Sequence, residues 1–320
     1  MAAQTRALKR RLRRAALFAF VLGGLAGLAM LASPWAQRAS VPMVDAAMHG
    51  LRALGPRSAP EVVVVGLDQA TLDSTAEPLG LIHRELADAL AGLAAGRPRL
   101  ILLDIVLPDR SAEPLRPGYD LALMQALAAA RATGLVLAIE PDASGRLQAI
   151  HPPLLAAAGA DAAGPALYPL DADHAVRRFE PGLGGEPTLI DRAAHKLGLV
   201  AGAGWIDWSI GPAFSYLPMS DVVSAQRRGD GASLRDRLEG RVVLLGSVLP
   251  FVDRLPQPVN LAAWESKLSS PPGVLVHAQA MRNLLAGGFL RPVPWPVLGL
   301  LVLSFAALAA VGGQASRWVS

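Results

Sequence analysis

The chain has 320 residues, 52% of them hydrophobic, and its 30 Lys and Arg against 26 Asp and Glu give a formal charge of +4. Arg6, Lys9, Arg10, Arg11, Arg13 and Arg14 supply six of those positive charges, so the remainder stands at −2 and offers no basic face for nucleic acid. Cysteine is absent, which excludes disulfides, thiolate metal sites and cysteine catalysis, while the length allows one large core or two small ones without crosslinks.

Ala15 to Ala32 carries no charge over eighteen residues. The length suits a retained membrane anchor, and no small-x-small cleavage site follows it, although a cleaved signal remains the alternative. The basic tail, 1–14, then stays in the cytoplasm and the chain emerges outside near Trp35. Val41 to Leu54 places Val44, Ala47, Met48, Leu51 and Leu54 at helical spacing, and Gly55-Pro56 ends it.

Glu61 to Leu107 reads as a β-α-β unit with parallel strands. Strand Val62–Leu67 ends at Asp68, a turn starts near Thr71, a helix covers Ile82–Ala95, and strand Leu100–Val106 carries Asp104 among Ile and Leu. Pro108–Gly118 is a loop, Asp120–Ala132 a helix and Gly134–Glu140 a strand. Pro141–Pro165 is the least legible stretch. Tyr168-Pro169 leads into an extended segment and turn, DADHAVRRFEP. A helix over Leu189–Leu197, a short strand over Trp205–Ser209 and a helical turn over Met219–Gln226 follow. Strand Val242–Leu245 stops at Gly246-Ser247, and a short loop delivers Asp253 and Arg254. After Pro258 comes a hydrophilic insertion, then a helix over Gly273–Leu285. Val293–Gly313 is uncharged, bracketed by Trp295 and Trp318 with Arg317 beyond, and reads as a second membrane segment, with a buried core helix as the alternative.

The expected fold class is therefore α/β: a mainly parallel sheet flanked by helices, bracketed by two transmembrane helices. The domain plan is a tail (1–14), a membrane helix (15–32), an outer domain (39–291), a membrane helix (293–313) and a cytoplasmic end (314–320). Strands that are apolar throughout are buried on both faces, and such sheets bind ligands at their carboxyl edge. Asp68, Asp104, Ser247 and Asp253 all fall at that edge, with Arg84 at the start of the following helix. Carboxylates sharing one crevice raise each other's pKa or hold a cation or cationic ligand. The structural alternative has Asp68 capping a helix or turn and Asp253 paired with Arg254 or Arg84.

Other motifs carry less. Asp171, Asp173 and His174 lie close together but lack a further ligand at a set spacing, so the reading is a turn, not a metal site. His277 and Asn283 read as core or capping residues. Gly182, Gly184 and Gly185 follow no strand, and no P-loop is present. Ser247 lacks the second glycine of a nucleophile elbow. No catalytic residue, metal site or cofactor is expected.

The order of EVVVVGLDQATLD, IHRELADALAGL, RLILLDIVLPD, YPLD with VRRFEP, GRVVLLGSVLPFVDRLPQP and PPGVLVHAQAMRNLL resembles the CHASE class-2 sensory domain of bacterial signalling proteins, over Met43 to Pro292. The resemblance implies an inner-membrane protein with its main domain periplasmic or extracellular, an unknown small ligand, and a cytoplasmic cyclase or kinase as output. Two departures stand out. The Trp-Pro-x-Pro-Arg type of segment reads EPLGLIHR and keeps only Pro78 and Arg84, and no output module follows the last apolar segment. The sequence is then either a fragment or a sensor signalling through a partner. Gly23, Gly24 and Gly27 give the first membrane helix a small-residue face suited to a homodimer. The alternative function is an envelope assembly protein whose α/β domain binds another protein.

Overall fold

The computed structural model describes residues 2–75, 77–142, 144–265 and 270–315. Expectations placed on the side chain of Trp35, on Arg317 and Trp318, on the basic side chains before Arg14 and on part of the insertion after Pro258 lie outside the described residues.

The chain divides into two compact units, with the first boundary inside a helix between Ala47 and Met48 and the second at Arg291. The smaller unit holds α1 (Ala2–Leu31) and most of α2 (Pro34–Ala53). Within α1, Arg14–Leu31 is long and apolar enough to cross a bilayer. The smaller unit also holds a C-terminal helix, Trp295–Ala315. Its apolar stretch, Trp295–Val311, falls short of that length among the described residues, so only the first of the two expected membrane segments meets the test. The two helices pack through α1's glycines: a Cβ at Gly24 would lie 3.0 Å from Leu303 and one at Gly23 3.8 Å from Ala306. The small-residue face expected to form a homodimer is thus filled by the chain's own helix.

The larger unit begins with β1 (Val62–Leu67), α3 (Gln69–Ser74), α4 (His83–Ala95), β2 (Leu100–Asp104), α5 (Tyr119–Thr133) and β3 (Leu135–Ile139). It continues with α6 (Pro152–Ala158), β4 (Ala163–Pro165), β5 (Arg178–Phe179), β6 (Gly182–Leu183), β7 (Glu186–Pro187) and α7 (Leu189–Lys196). Then come β8 (Gly204–Trp205), β9 (Tyr216–Pro218), α8 (Met219–Arg227), α9 (Gly231–Leu238), β10 (Val242–Ser247) and α10 (Val274–Leu285); the Trp295–Ala315 helix is α11. Six strands form one sheet in the order β4-β3-β2-β10-β1-β9, and every pair is parallel. The expected parallel arrangement of β1 and β2 holds, with β10 inserted between them.

Strand parity decides which side chains meet which helices. Val65, Leu67, Ile101, Leu103, Leu135, Leu137, Val243 and Leu245 share a core with apolar residues of α4, α5, α6, α8 and α9. The other parity, which includes Leu102, Asp104, Leu244 and Gly246, faces α7 and α10. α10 is buried along its length from Val274 to Leu284, as a helix covered on all sides must be. Its close seat on β10 depends on Gly246, where a Cβ would sit 2.6 Å from Val274 Cγ2. Two expectations shrink: the strand starting at Leu100 stops at Asp104 rather than Val106, and the strand expected over Trp205–Ser209 is only Gly204–Trp205. Ile206 N still donates to Arg177 O beside β5, but the Asp207 backbone bonds to side chains of α10 instead of to a neighbouring strand.

Candidate functional site

β2 and β10 run in register so that Asp104 sits opposite Gly246, one residue before Ser247. Leu67 sits opposite Ser247, which puts Asp68 just beyond the same edge. The sheet therefore delivers Asp68, Asp104 and Ser247 to one side, as the sequence pattern predicts, but their surroundings differ.

Asp68 is an N-cap. Its Oδ1 accepts from Thr71 N at 2.8 Å and Thr71 Oγ1 at 2.6 Å, and Oδ2 accepts from Tyr216 Oη at 3.2 Å. These bonds satisfy donors at the start of α3, and the structural alternative describes this residue. Ser247 Oγ accepts from Leu249 N at 3.3 Å and shapes the turn after β10. Arg84 lies exposed in the first turn of α4 and, among the described residues, pairs with none of these acids.

Asp104 is different. Its side chain is 4% exposed, and Oδ2 is buried with no hydrogen-bond partner. Oδ1 lies 3.6 Å from His277 Nε2 on α10, too far for a hydrogen bond. His277 Nδ1 is 2.9 Å from Tyr168 Oη. A phenol that donates here leaves the ring proton on Nε2, toward Asp104. Burial first, and then the charge of Glu140, push the Asp104 carboxyl up to about 7. Burial pulls His277 down to about 4 against the pull of Asp253 and Glu140. Burial, with Asp104 nearby, also raises the Tyr168 phenol well above its usual value. Near pH 6 the pair is thus a neutral acid beside a neutral imidazole, because desolvation outweighs their attraction.

Asp253 completes the group. It sits at φ +47°, a left-handed conformation that Asp tolerates. Its carbonyl accepts from Gly273 N at 2.7 Å, and its carboxylate occupies the space where a Cβ of residue 273 would stand. Much of the residue remains open to solvent. Desolvation of its inner side, followed by repulsion from Asp104, lifts its pKa to about 6. Arg254, the partner weighed for Asp253 in the structural alternative, instead forms a two-toothed pair with Glu265.

The residues brought together are therefore Asp104, Asp253, His277 and Tyr168, with Glu140 acting from the end of β3. Sequence reasoning found the first two, placed His277 in the core, and missed Tyr168 and Glu140. Glu140 had a signal, since it comes directly after β3 as Asp68 does after β1. Tyr168 had none, because it arrives from the poorly patterned region after β4. No group of three or more metal-ligating side chains occurs among the described residues. The DADH segment forms the expected turn, and its acids are engaged: Asp171 binds Arg177 at 3.0 Å and Arg178 at 2.8 Å, and Asp173 binds Arg177 at 2.7 Å.

About one and a half turns along α10 from His277 lies a second polar cluster. Asn283 Oδ1 accepts from Asp207 N at 2.8 Å, and Asn283 Nδ2 and Gln279 Nε2 donate to Asp207 O at 3.1 and 2.6 Å. The same 205–211 segment receives the end of α2, where Arg52 Nη1 donates to the carbonyls of Trp208 at 3.1 Å and Gly211 at 3.0 Å. It also holds the residues beyond α10: Trp205 and Leu290 exchange two backbone bonds of 2.8 and 2.9 Å, and Phe289 stacks on Phe179 at 4.3 Å. The Asp207 carboxylate is shared between Arg57 and Ser209.

The family model for the CHASE2 domain matches residues 16–312. No curated protein and no solved structure matches the chain.

Proposed function

The chain belongs to the CHASE2 domain family, a family of sensory domains, and from that premise we propose that it is a membrane-anchored sensor whose outer domain binds a small ligand at the carboxyl edge of the sheet. α1 is the anchor and the larger unit is extracytoplasmic. The ligand is cationic or donates hydrogen bonds, because Asp104 Oδ2 is buried without a partner and Asp253 opens to solvent beside it. Loss of a proton from this group leaves a buried charge that a cation would relieve.

One observation carries the proposal. α10 presents His277 to the acid group and Gln279 and Asn283 to the 205–211 segment, and that segment grips both routes out of the domain, through Arg52 on one side and Leu290 on the other. A ligand that prefers one setting of α10 would change both exits together, and a shift requires such a preference. The recipient is a cytoplasmic cyclase or kinase, on the same chain or a partner.

The test is thermal unfolding of the whole protein in nanodiscs against amines, amino acids, peptides and metal ions. A compound that binds only the folded state raises the midpoint with concentration. We expect a hit from the cationic members that Asp104→Asn and Asp253→Asn each weaken at least tenfold while the protein still folds. A folded protein whose midpoint moves with none of them, or moves equally in both variants, removes the sheet edge as the ligand site.

A further inference from the structure

Arg282 on α10 is 4% exposed, yet among the described residues it has no carboxylate partner. Its Nη1 donates to the carbonyl of Pro212 at 2.9 Å and to Gln279 Oε1 at 3.1 Å. Its guanidinium lies 3.7 Å over the ring of Phe214. All of these contacts are neutral, and Nε is buried with no partner at all. Burial, and then repulsion from Arg52, lowers its pKa to about 10, still cationic at neutral pH. Asp207, the acid of this cluster, is taken up by Arg57 and Ser209. A buried cation without a counter-charge is costly, and proteins avoid it unless something supplies the charge.

Arg282 lines a cavity of about 300 Å³ with Glu61, Phe214, Tyr216, Arg237 and Arg241. Arg237 is exposed and unpaired among the described residues, and Arg241 bonds Glu61 at 2.9 Å. Three arginines and one glutamate thus line a space of small-molecule size. The cavity also touches Val62, Val63 and Val64 at the amino end of β1, so it lies toward the sheet edge opposite the acids.

We propose that this cavity is a second binding site, for a small anion bearing a carboxylate or phosphate group, with Arg282 as its buried counter-charge and Arg237 and Arg241 at its mouth. Planar guanidinium forks suit both oxyanions. The acid group at the other edge would repel such a ligand, so the two sites take molecules of opposite charge. Any effect of the anion on signalling rests on the sensor reading, through Arg282's place on α10; the binding itself does not.

The test titrates the whole protein, in micelles free of anionic lipid, with sodium phosphate against sodium chloride at equal ionic strength. We expect a saturable rise in the unfolding midpoint of about 3 °C, complete near 10 mM, on top of the unsaturable salting effect of phosphate. Arg237→Gln with Arg241→Gln removes at least half of the saturable part, Arg282→Met removes all of it, and Arg110→Gln, on a distant loop, leaves it whole. A response without saturation, or one unchanged in the double variant, overturns the site. Should Arg282→Met fail to fold, the double variant decides alone. In Asp104→Asn protein the phosphate response persists, so failure of the anion site and failure of the sheet-edge site are read separately.

Discussion

Asp104 is the residue through which pH acts most directly on this protein. In the unfolded chain it ionises near 3.8, and in the folded protein near 7. Between those values the unfolded state has released the proton and the folded state still holds it, so Asp104's contribution to stability is full below pH 4 and is lost as pH rises through 7. His277 works in the opposite sense, since its folded value of about 4 lies below the ordinary 6.5. It disfavours the fold as pH falls from 6.5 toward 4, and above 6.5 it no longer matters. Asp104→Asn removes the ionisable group and keeps its shape. We expect it to stabilise the protein by roughly 4 kcal/mol at pH 8 and by little at pH 4, read from urea unfolding at the two values. An equal effect at both would mean that Asp104 keeps an ordinary pKa. The sequence showed Asp104 as an acid inside an apolar strand, and that was enough to single it out. It showed Asp68 in the same position after a strand, but the neighbours of the two acids differ. Gln-Ala-Thr after Asp68 starts a helix that needs a cap, while Ile-Val-Leu after Asp104 offers no side-chain donor close by.

At the scale of elements, periodicity identified what was long and left out what was short. β1, α4, α5 and β10 were legible because their apolar residues recur at fixed spacing over five positions or more. α9 was not, since only Leu234 and Leu238 are buried in it, and its one clear signal is the cap in which Asp230 accepts from Ser233 N. β9 is a three-residue edge strand ending in Pro218, too short to show alternation. α6 begins at Pro152 within a stretch rich in Pro, Gly and Ala, and only Leu154 and Ala158 mark its inner face. The seat of α10 on β10 was invisible for another reason, because it depends on an absence, the missing side chain of Gly246. Gly246→Ala would drive a methyl into Val274, 2.6 Å from Cγ2. We expect a loss of about 2 kcal/mol, in line with overpacked cores, and recovery of much of it by adding Val274→Ala. Additive losses in the double variant would show that α10 does not rest on this contact.

At the scale of the whole molecule, strand order was beyond the sequence. The β1-α4-β2 crossover leaves an empty slot between its strands, and β10 fills it some 140 positions after β2 has formed, which no local pattern announces. The consequence is functional, because the strand that arrives last lies beside Asp104 and feeds directly into Asp253, α10 and the exit past Leu290. The domain therefore closes on the same segment through which it connects to the rest of the chain. The 205–211 segment joins that exit to the end of α2 by few bonds, and the Trp205–Leu290 pair is the plainest of them. Leu290→Pro deletes the N–H that donates to Trp205 O at 2.9 Å. One such bond is worth about 1 kcal/mol, so amide exchange of whole protein in nanodiscs should quicken about fivefold over 204–211 through local opening. Strand β10 at the sheet centre should keep its protection. Faster exchange in β10 as well would mean that the exit and the core open as one unit, leaving no separate joint for a signal to move. Unchanged exchange over 204–211 would mean that Asn283, Gln279 and Arg52 hold the segment without Leu290, and would move the output route from the C-terminal exit to α2.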